Sequence, residues 1–420
     1  MPIHLLRGFV LLAPALPALA QYAAPAILSR GELPAGMSTM TDGFTYSLTL
    51  ASKYTNAVAG IFAQRTQGPP ANPAAFGGGL AGGITASRHW EHSHLALNYS
   101  GGLRDYSQAT FYSGLSQGVL LDFSHLFSPH VAWSVRESAG MFSQFGPTTG
   151  SLDSPSTVPA AAFYDARTLY STTRTDLTLQ HSSRLSFDLG GGFFLNEARS
   201  SALYGAQGEM AMGDVQYRLS PHVTIGADYT FSHYNYTRGA GAAAIHATAF
   251  TAAWRVSRWT ELSFFAGPSR MDSRLAQAGA DPSNSTQWKP NYGIRFARSF
   301  QHGVAYVNGG EAVIPGNGLF LTSSATTVTA GYRYLGLRDW NLSVAAAYKS
   351  ALSLGNVTGR YEDVIGSYRL SRQIVGALSF VSSFEATRYQ SASFAGYNRL
   401  IYTASMGFAF SSHNLPPRFF

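Results

Sequence analysis

The chain has 420 residues, a formal net charge of +7, only 12% charged residues and no cysteine. The missing cysteine excludes a disulfide framework, a thiolate metal site and a lipid-modified N-terminal cysteine. Basic residues without any run of five or six argue against nucleic-acid binding. The charge content is about half the roughly 25% of soluble domains, and no stretch of about 20 apolar residues follows the N-terminus. Both facts fit a membrane barrel, whose crossings are alternating segments of about ten residues.

The first segment, "MPIHLLRGFVLLAPALPALAQ", carries His4 and Arg7, an apolar run from Gly8 to Leu19, and the small-x-small site Ala18-Leu19-Ala20. It reads as a secretory signal peptide over residues 1–20, cut after Ala20. Pro14 and Pro17 speak against a buried helix there. Residues 21–42, with Pro25 and Pro34, read as an irregular periplasmic lead-in. From residue 43 the pattern alternates, and 43–63 is either one long strand or a strand plus an irregular piece. The expected barrel covers 43–410, with 411–420 as a periplasmic tail.

Short turn signals then recur: "RHWEHSH" (88–94), "FSPHV" (127–131), "QHSSRL" (180–185), "LSPHV" (219–223), "VSRWT" (256–260), "SFQHG" (299–303), "LGLRDW" (335–340) and "LSRQI" (370–374). Each joins two alternating runs, as hairpin turns do. Between them lie Gly-, Pro-, Ser- and Asn-rich segments at 64–77, 101–113, 143–164, 271–286, 313–319 and 388–396. Short turns alternating with long loops are the asymmetry of outer-membrane barrels. Eight hairpins plus one strand before and one after predict an all-β, antiparallel up-and-down transmembrane β-barrel of about 18 strands. Sixteen remains open, and both ends lie on the short-turn side.

Within the runs, one face is oily and the other is not. In 119–124, Val119, Leu121 and Phe123 oppose Leu120, Asp122 and Ser124. In 223–231, Val223, Ile225, Ala227, Tyr229 and Phe231 oppose Thr224, Gly226, Asp228 and Thr230. In 290–298, Tyr292, Ile294 and Phe296 oppose Arg295; in 342–349, Leu342, Val344, Ala346 and Tyr348 oppose Lys349. Trp133, Tyr217, Trp254, Trp259, Tyr332, Tyr368 and Phe408 supply the aromatic belt of a lipid boundary. The reverse faces hold isolated charges that are costly in a dry core and cheap in water. Arg136, Arg174, Asp176, Asp228, Arg295 and Lys349 are therefore the expected pore-lining residues, and their Arg content hints at anion preference.

Three motifs invite chemistry. "GLSQG" (114–118) matches G-x-S-x-G around Ser116, but a nucleophile elbow needs strand, turn and helix, and here a strand follows. "HWEHSH" gathers His89, Glu91, His92 and His94 without helix-spaced zinc-ligand geometry, so it reads as exposed turn histidines. The Gly runs at 77–83 and 190–192 lack the Lys-Ser/Thr of a phosphate loop. No catalytic residue, metal site or cofactor is expected.

The signal peptide, the repeated hairpins and the terminal "YTASMGFAF" together resemble bacterial outer-membrane β-barrels of the porin type, across the whole mature chain. That resemblance implies a location in the bacterial outer membrane, contact with its lipid, and passive diffusion of small hydrophilic solutes. It implies recognition of the last strand by the barrel-assembly machinery, with Tyr402, Met406, Phe408 and Phe410 as the signal. Either Phe410 closes that signal or the signal is degenerate, since the chain ends "NLPPRFF". Porins of this size are often trimers, so a homotrimer is implied, and loop 143–164 is either a constriction loop or an external one. The alternative function is a barrel without transport, serving surface-polymer export or anchoring, or a lipid-boundary enzyme using Ser116. The structural rival is a secreted β-propeller, whose blades recur at about 40–50 residues.

Overall fold

The computed structural model describes residues 42–56, 75–107, 113–142, 168–200, 203–275, 283–315, 320–334, 336–337, 339–355, 359–391 and 398–412. The expected signal peptide, most of the lead-in, loop 143–164 and the tail beyond Ser412 lie outside the described residues.

The strands are β1 (Gly43–Thr55), β2 (Ala75–His89), β3 (Ser93–Tyr106), β4 (Gly114–Ser128), β5 (Val131–Phe142) and β6 (Thr168–Gln180). They continue as β7 (Leu185–Ala198), β8 (Ala206–Ser220), β9 (Val223–Tyr236), β10 (Gly241–Ser257), β11 (Thr260–Leu275) and β12 (Ser283–Phe300). The last six are β13 (Gly303–Pro315), β14 (Thr322–Tyr334), β15 (Trp340–Ser353), β16 (Arg360–Val375), β17 (Leu378–Gln390) and β18 (Arg399–Ser411). Each pairs antiparallel with its sequence neighbours, and β1 pairs with β18, so the 18-stranded sheet closes on itself. The sixteen-strand count is thereby excluded, and so is the propeller, whose blades are separate four-stranded sheets. β1 ends at Thr55, which settles 43–63 as a strand that stops well short of residue 63.

Register assigns every side chain to a face, because paired residues point the same way. Phe44, Leu48 and Leu50 on β1, Val344 on β15, and Met406, Phe408 and Phe410 on β18 point outward and are exposed. Thr49 and Lys53 point inward and are buried. The outer face turns polar toward the long-loop rim. There Arg270 pairs with Asp272 at 3.0 Å, Arg360 with Glu362 at 3.0 Å, and His233 approaches Glu209 at 3.9 Å. At the short-turn rim arginines lie over aromatic rings: Arg258 on Trp259, Arg298 on Phe300 and Arg372 on Trp340, at 4.9, 5.2 and 5.0 Å. Such pairs hold the cation at an interface while the ring stays in the apolar band.

The repeated wording of the turns has a structural cause. In "FSPHV", "QHSSRL", "LSPHV" and "VSRWT" the Ser128, Ser182, Ser220 and Ser257 hydroxyls each accept a hydrogen bond, 3.2 Å long, from the backbone two residues on. In three of these turns a register shift immediately precedes that serine. A serine side chain thus closes a turn that tight strand pairing leaves unsatisfied.

Two expectations about connections need correction. The turn expected at 370–374 lies at 376–377, because β16 runs on to Val375 and Gly376 takes φ +54°, a conformation that favours glycine. The loops expected at 64–77, 101–113, 271–286, 313–319 and 388–396 are trimmed by strands: β2 starts at Ala75, β3 reaches Tyr106, β11 reaches Leu275, β12 starts at Ser283, β13 reaches Pro315 and β17 reaches Gln390. Gly101 and Gly102 look like loop punctuation but pair with Gln117 and Ser116 in the ladder. Ladders that rise above the apolar band turn polar outside, which mimics loop composition.

Val344→Arg, on the outer face at mid-strand, should destabilise the lipid-embedded barrel by about 2–4 kcal/mol. Denaturant unfolding in lipid vesicles reads this. The same change at inward Ala345 should cost less.

Candidate functional site: the lumen and its mouth

All six residues expected to line the pore point inward by register: Arg136 on β5, Arg174 and Asp176 on β6, Asp228 on β9, Arg295 on β12 and Lys349 on β15. They are not isolated, as the sequence had implied. Arg136 binds Asp122 of β4 at 2.6 Å through Nη2 and 3.0 Å through Nε. Arg174 grips Asp176 on its own strand at 2.8–2.9 Å. Arg136 and Arg174 lie directly opposite each other, so each arginine has its own carboxylate and the like charges are tolerated. Arg295 faces Ser263 and Asn308, and Lys349 faces Asp363.

The sequence reading missed a second group. Asp188 on β7 lies opposite Asp214 on β8, which lies opposite Asp228 on β9. Three inward carboxylates thus stand in a row across three strands. The Gln216 side chain hydrogen-bonds to Asp214, while one carboxylate oxygen each of Asp188 and Asp228 is buried without a protein partner. Such a row favours a mobile cation nearby, because like charges opposite one another are destabilising. The signal was present in "SFDLG", where Phe187 and Leu189 flank Asp188 at strand spacing. The row acts against the anion preference that the scattered arginines hint at. No group of His, Asp and Glu among the described residues could hold a metal ion.

The mouth is built differently. β12 pairs with β11 along its whole length, but with β13 only between Tyr292 and Phe300. Residues 283–291 therefore have no ladder partner on that edge among the described residues, about 30 Å of strand at about 3.3 Å per residue. Lys289 and Pro290 lie on this edge, residue types that discourage strand addition. Outward from this stretch stand Pro290 and the exposed Trp288, and beyond them Thr286 and Asn284 beside Arg270, so the outer face passes from an aromatic boundary to polar residues and the end of β12 forms a flap. Beneath the flap, inward Tyr234, Tyr236, Ile245, Met271 and Leu275 pack with Leu321 and Leu354 from the ends of β14 and β15. The Tyr236 and Thr322 hydroxyls meet at 2.7 Å, although β10 to β13 separate their strands. Gln287 donates to the Leu354 carbonyl at 3.1 Å, and Leu354 donates to Thr322 at 2.9 Å. The described ends of β14 and β15, at Leu321, Thr322 and Leu354, are thus tucked inside the flap and roof one sector of the mouth with apolar side chains. Leu321 and Leu354 lie just beyond strand ends, where alternation gives no signal.

The remaining motifs take structural places. Ser116 sits inside β4, faces inward and donates to the Gly102 carbonyl at 3.4 Å, without the strand–turn–helix context of a nucleophile elbow. His89 and His94 are not simple exposed turn residues. Their rings lie 4.1 Å apart on the inner face, and His94 is buried because β2 and β3 pair right up to the turn. His89 bonds to Asp42 at 2.5 Å, and this hydrogen bond holds the Asp42 carboxyl below its usual range. Tyr402, Met406, Phe408 and Phe410 all face outward on β18, with Phe410 at its end beside Tyr46.

No family model matches this chain, and no curated protein matches it. Among solved structures it is similar to the FrpB iron transporter of Neisseria meningitidis (10% identity, TM-score 0.45, 88% of this chain and 64% of that chain). It is similar to OccAB4 of Acinetobacter baumannii (11%, 0.44, 90% and 100%). It is also similar to OpdK of Pseudomonas aeruginosa, solved with vanillate (11%, 0.44, 88% and 98%). The chain spans under two thirds of the FrpB structure. The even, closed, antiparallel barrel is itself porin-type architecture; its function has to come from its own side chains.

Removing Leu354 from the cluster should loosen the roof, since a buried leucine is worth about 2–5 kcal/mol. In the cysteine-free chain, Ala243→Cys should be modified by a hydrophilic maleimide about tenfold faster or more when Leu354→Ser is added. Equal rates would mean the cluster does not cover the inner wall.

Proposed function

We propose that this protein is a bacterial outer-membrane channel through which small hydrophilic solutes diffuse passively. One observation carries this reading: the barrel's polarity is inverted relative to a soluble protein. Leucine, phenylalanine and valine cover the exposed outer wall between two polar rims, while paired arginines and aspartates project inward. An 18-stranded barrel is wide enough for an aqueous path. Water and fixed charges along that path would sort solutes by size and charge. The roofed sector of the mouth narrows the entrance and leaves the charged belt of β4–β9 as the selective element. Export of the chain, its N-terminal cleavage and its recognition by the assembly machinery through β18 belong to the same proposal.

A non-transport role finds less support. Ser116 sits within a continuous strand, where no acid–histidine pair approaches it among the described residues.

Refolded protein in planar bilayers should give discrete conductance steps, and their absence from correctly folded barrels would refute the channel. Replacing the acid row by Asp188→Asn, Asp214→Asn and Asp228→Asn should move the reversal potential in a salt gradient toward anion selectivity. An unchanged potential would remove the row from the conduction path.

A further inference from the structure

Three arginines of the short-turn rim share one arrangement. Arg258, Arg298 and Arg372 are exposed, and each lies over an aromatic ring: Trp259, Phe300 and Trp340. Among the described residues none of the three has an ion pair or a side-chain hydrogen bond. Two other arginines over rings are differently placed. Arg88, over Trp90, has its charge felt by the Asp42 carboxylate, and Arg238, over Tyr204, donates to the Leu203 carbonyl.

A guanidinium that lies over a ring uses its flat face. Its N–H donors lie along the edge, remain available, and match two oxygens of a phosphate. The carboxylates of this sector do not take them up. Glu261 faces inward with Arg255 at 3.6 Å, and Asp339 stands at the bend before β15. Apolar side chains stand at the same rim, where Val256, Ile374 and Val375 are exposed.

We infer that the short-turn rim from β10 to β16 is a contact surface for anionic phospholipid headgroups, whose phosphates meet Arg258, Arg298 and Arg372. The inference rests on the reading that the outer wall meets lipid. A free phosphate would meet the guanidinium edges alone, whereas a lipid also lays its chains against Val256, Ile374 and Val375. The rings fix the cations at the boundary where headgroups lie, since an aromatic side chain keeps its body in the apolar band. A zwitterionic headgroup brings its own cation next to each phosphate and so offsets the attraction; an anionic headgroup does not.

The native tryptophans, Trp259 and Trp340 among them, report the contact when lipid chains carry bromine as a quencher. The full chain is folded into phosphatidylcholine vesicles containing either brominated phosphatidylglycerol or brominated phosphatidylcholine. At low salt the relative binding constant should favour phosphatidylglycerol about fivefold or more, and about 1 M salt, with a screening length of about 3 Å, should bring it toward parity. Arg258→Gln, Arg298→Gln and Arg372→Gln together should remove the preference while the barrel still folds, as judged by its compact mobility in unheated gels. Lysine at the same three positions keeps the charge and should keep most of the preference. Arg274→Gln with Arg388→Gln, two exposed arginines of the long-loop rim, should leave it in place. Equal binding of the two lipids, or the same loss from the Arg274 and Arg388 changes, would overturn the headgroup contact alone. Absence of quenching by either lipid would overturn the membrane reading and the contact with it.

Discussion

Closure of the backbone ladder is the constraint from which the rest follows. In hydrocarbon every peptide N–H and C=O must find a partner within the protein, and an open sheet edge cannot be left in lipid. Pairing of β1 with β18, from Ser47 opposite Ser411 to Thr55 opposite Thr403, removes that edge. Once the sheet is closed, strand periodicity does the rest. Each residue is committed to lipid or to lumen, and a one-residue slip would turn Phe408 inward and Lys53 outward. Among the described residues the long stretch of unpaired edge, on β12, lies where the outer face passes from Trp288 to Thr286 and Asn284, so water can satisfy its backbone beyond the aromatic boundary.

Inside the closed wall, two chemistries divide the lumen. Toward the short-turn half, Arg136 with Asp122 and Arg174 with Asp176 form compact pairs, and the adjoining acid row of β7–β9 has less compensation. Partial burial makes these charges sensitive to what enters, because a desolvated charge gains more from a counter-charge than a solvated one. At the mouth, Met271, Leu275, Leu321 and Leu354 exclude water from one sector. On the proposed channel reading, a solute would meet an apolar roof first and a charged belt second. The outer wall is aliphatic and aromatic over most of its circumference, with hydroxyl-rich patches around Glu137 and Glu311.

Much of this architecture was legible in the sequence because it rests on a period of two. The strand count and the common side on which β1 begins and β18 ends follow from the spacing of the turn signals, and the inward placement of Arg295 and Lys349 from alternation around Ile294 and Tyr348. Seven of the eight turn signals fall where expected, and five of them have visible local chemistry: a serine hydroxyl closes four, and Asp339 takes a positive φ in the fifth. The eighth, at "LSRQI", misled because it repeats the wording of its neighbours while the bend is made by Gly376 further on. What could not be read was everything that depends on register between distant strands. Asp188, Asp214 and Asp228 form a row only once β7, β8 and β9 are aligned. Tyr236 meets Thr322 only because the chain crosses the mouth. Glu137 looks like any charge in "SVRESAG" until its neighbours Arg136 and Ser138 are seen to point inward.

The central claim is that successive residues of one strand sit in two different solvents. The most direct measurement is a cysteine scan from Leu342 to Lys349 on β15, with an environment-sensitive fluorophore at each site, in lipid vesicles. Quenchers dissolved in the bilayer and in water are applied in turn. The account predicts a strict alternation: Leu342, Val344, Ala346 and Tyr348 quenched from the lipid, Ser343, Ala345, Ala347 and Lys349 from water. A uniform response along the strand, or loss of quenching from lipid at the first set, would contradict it.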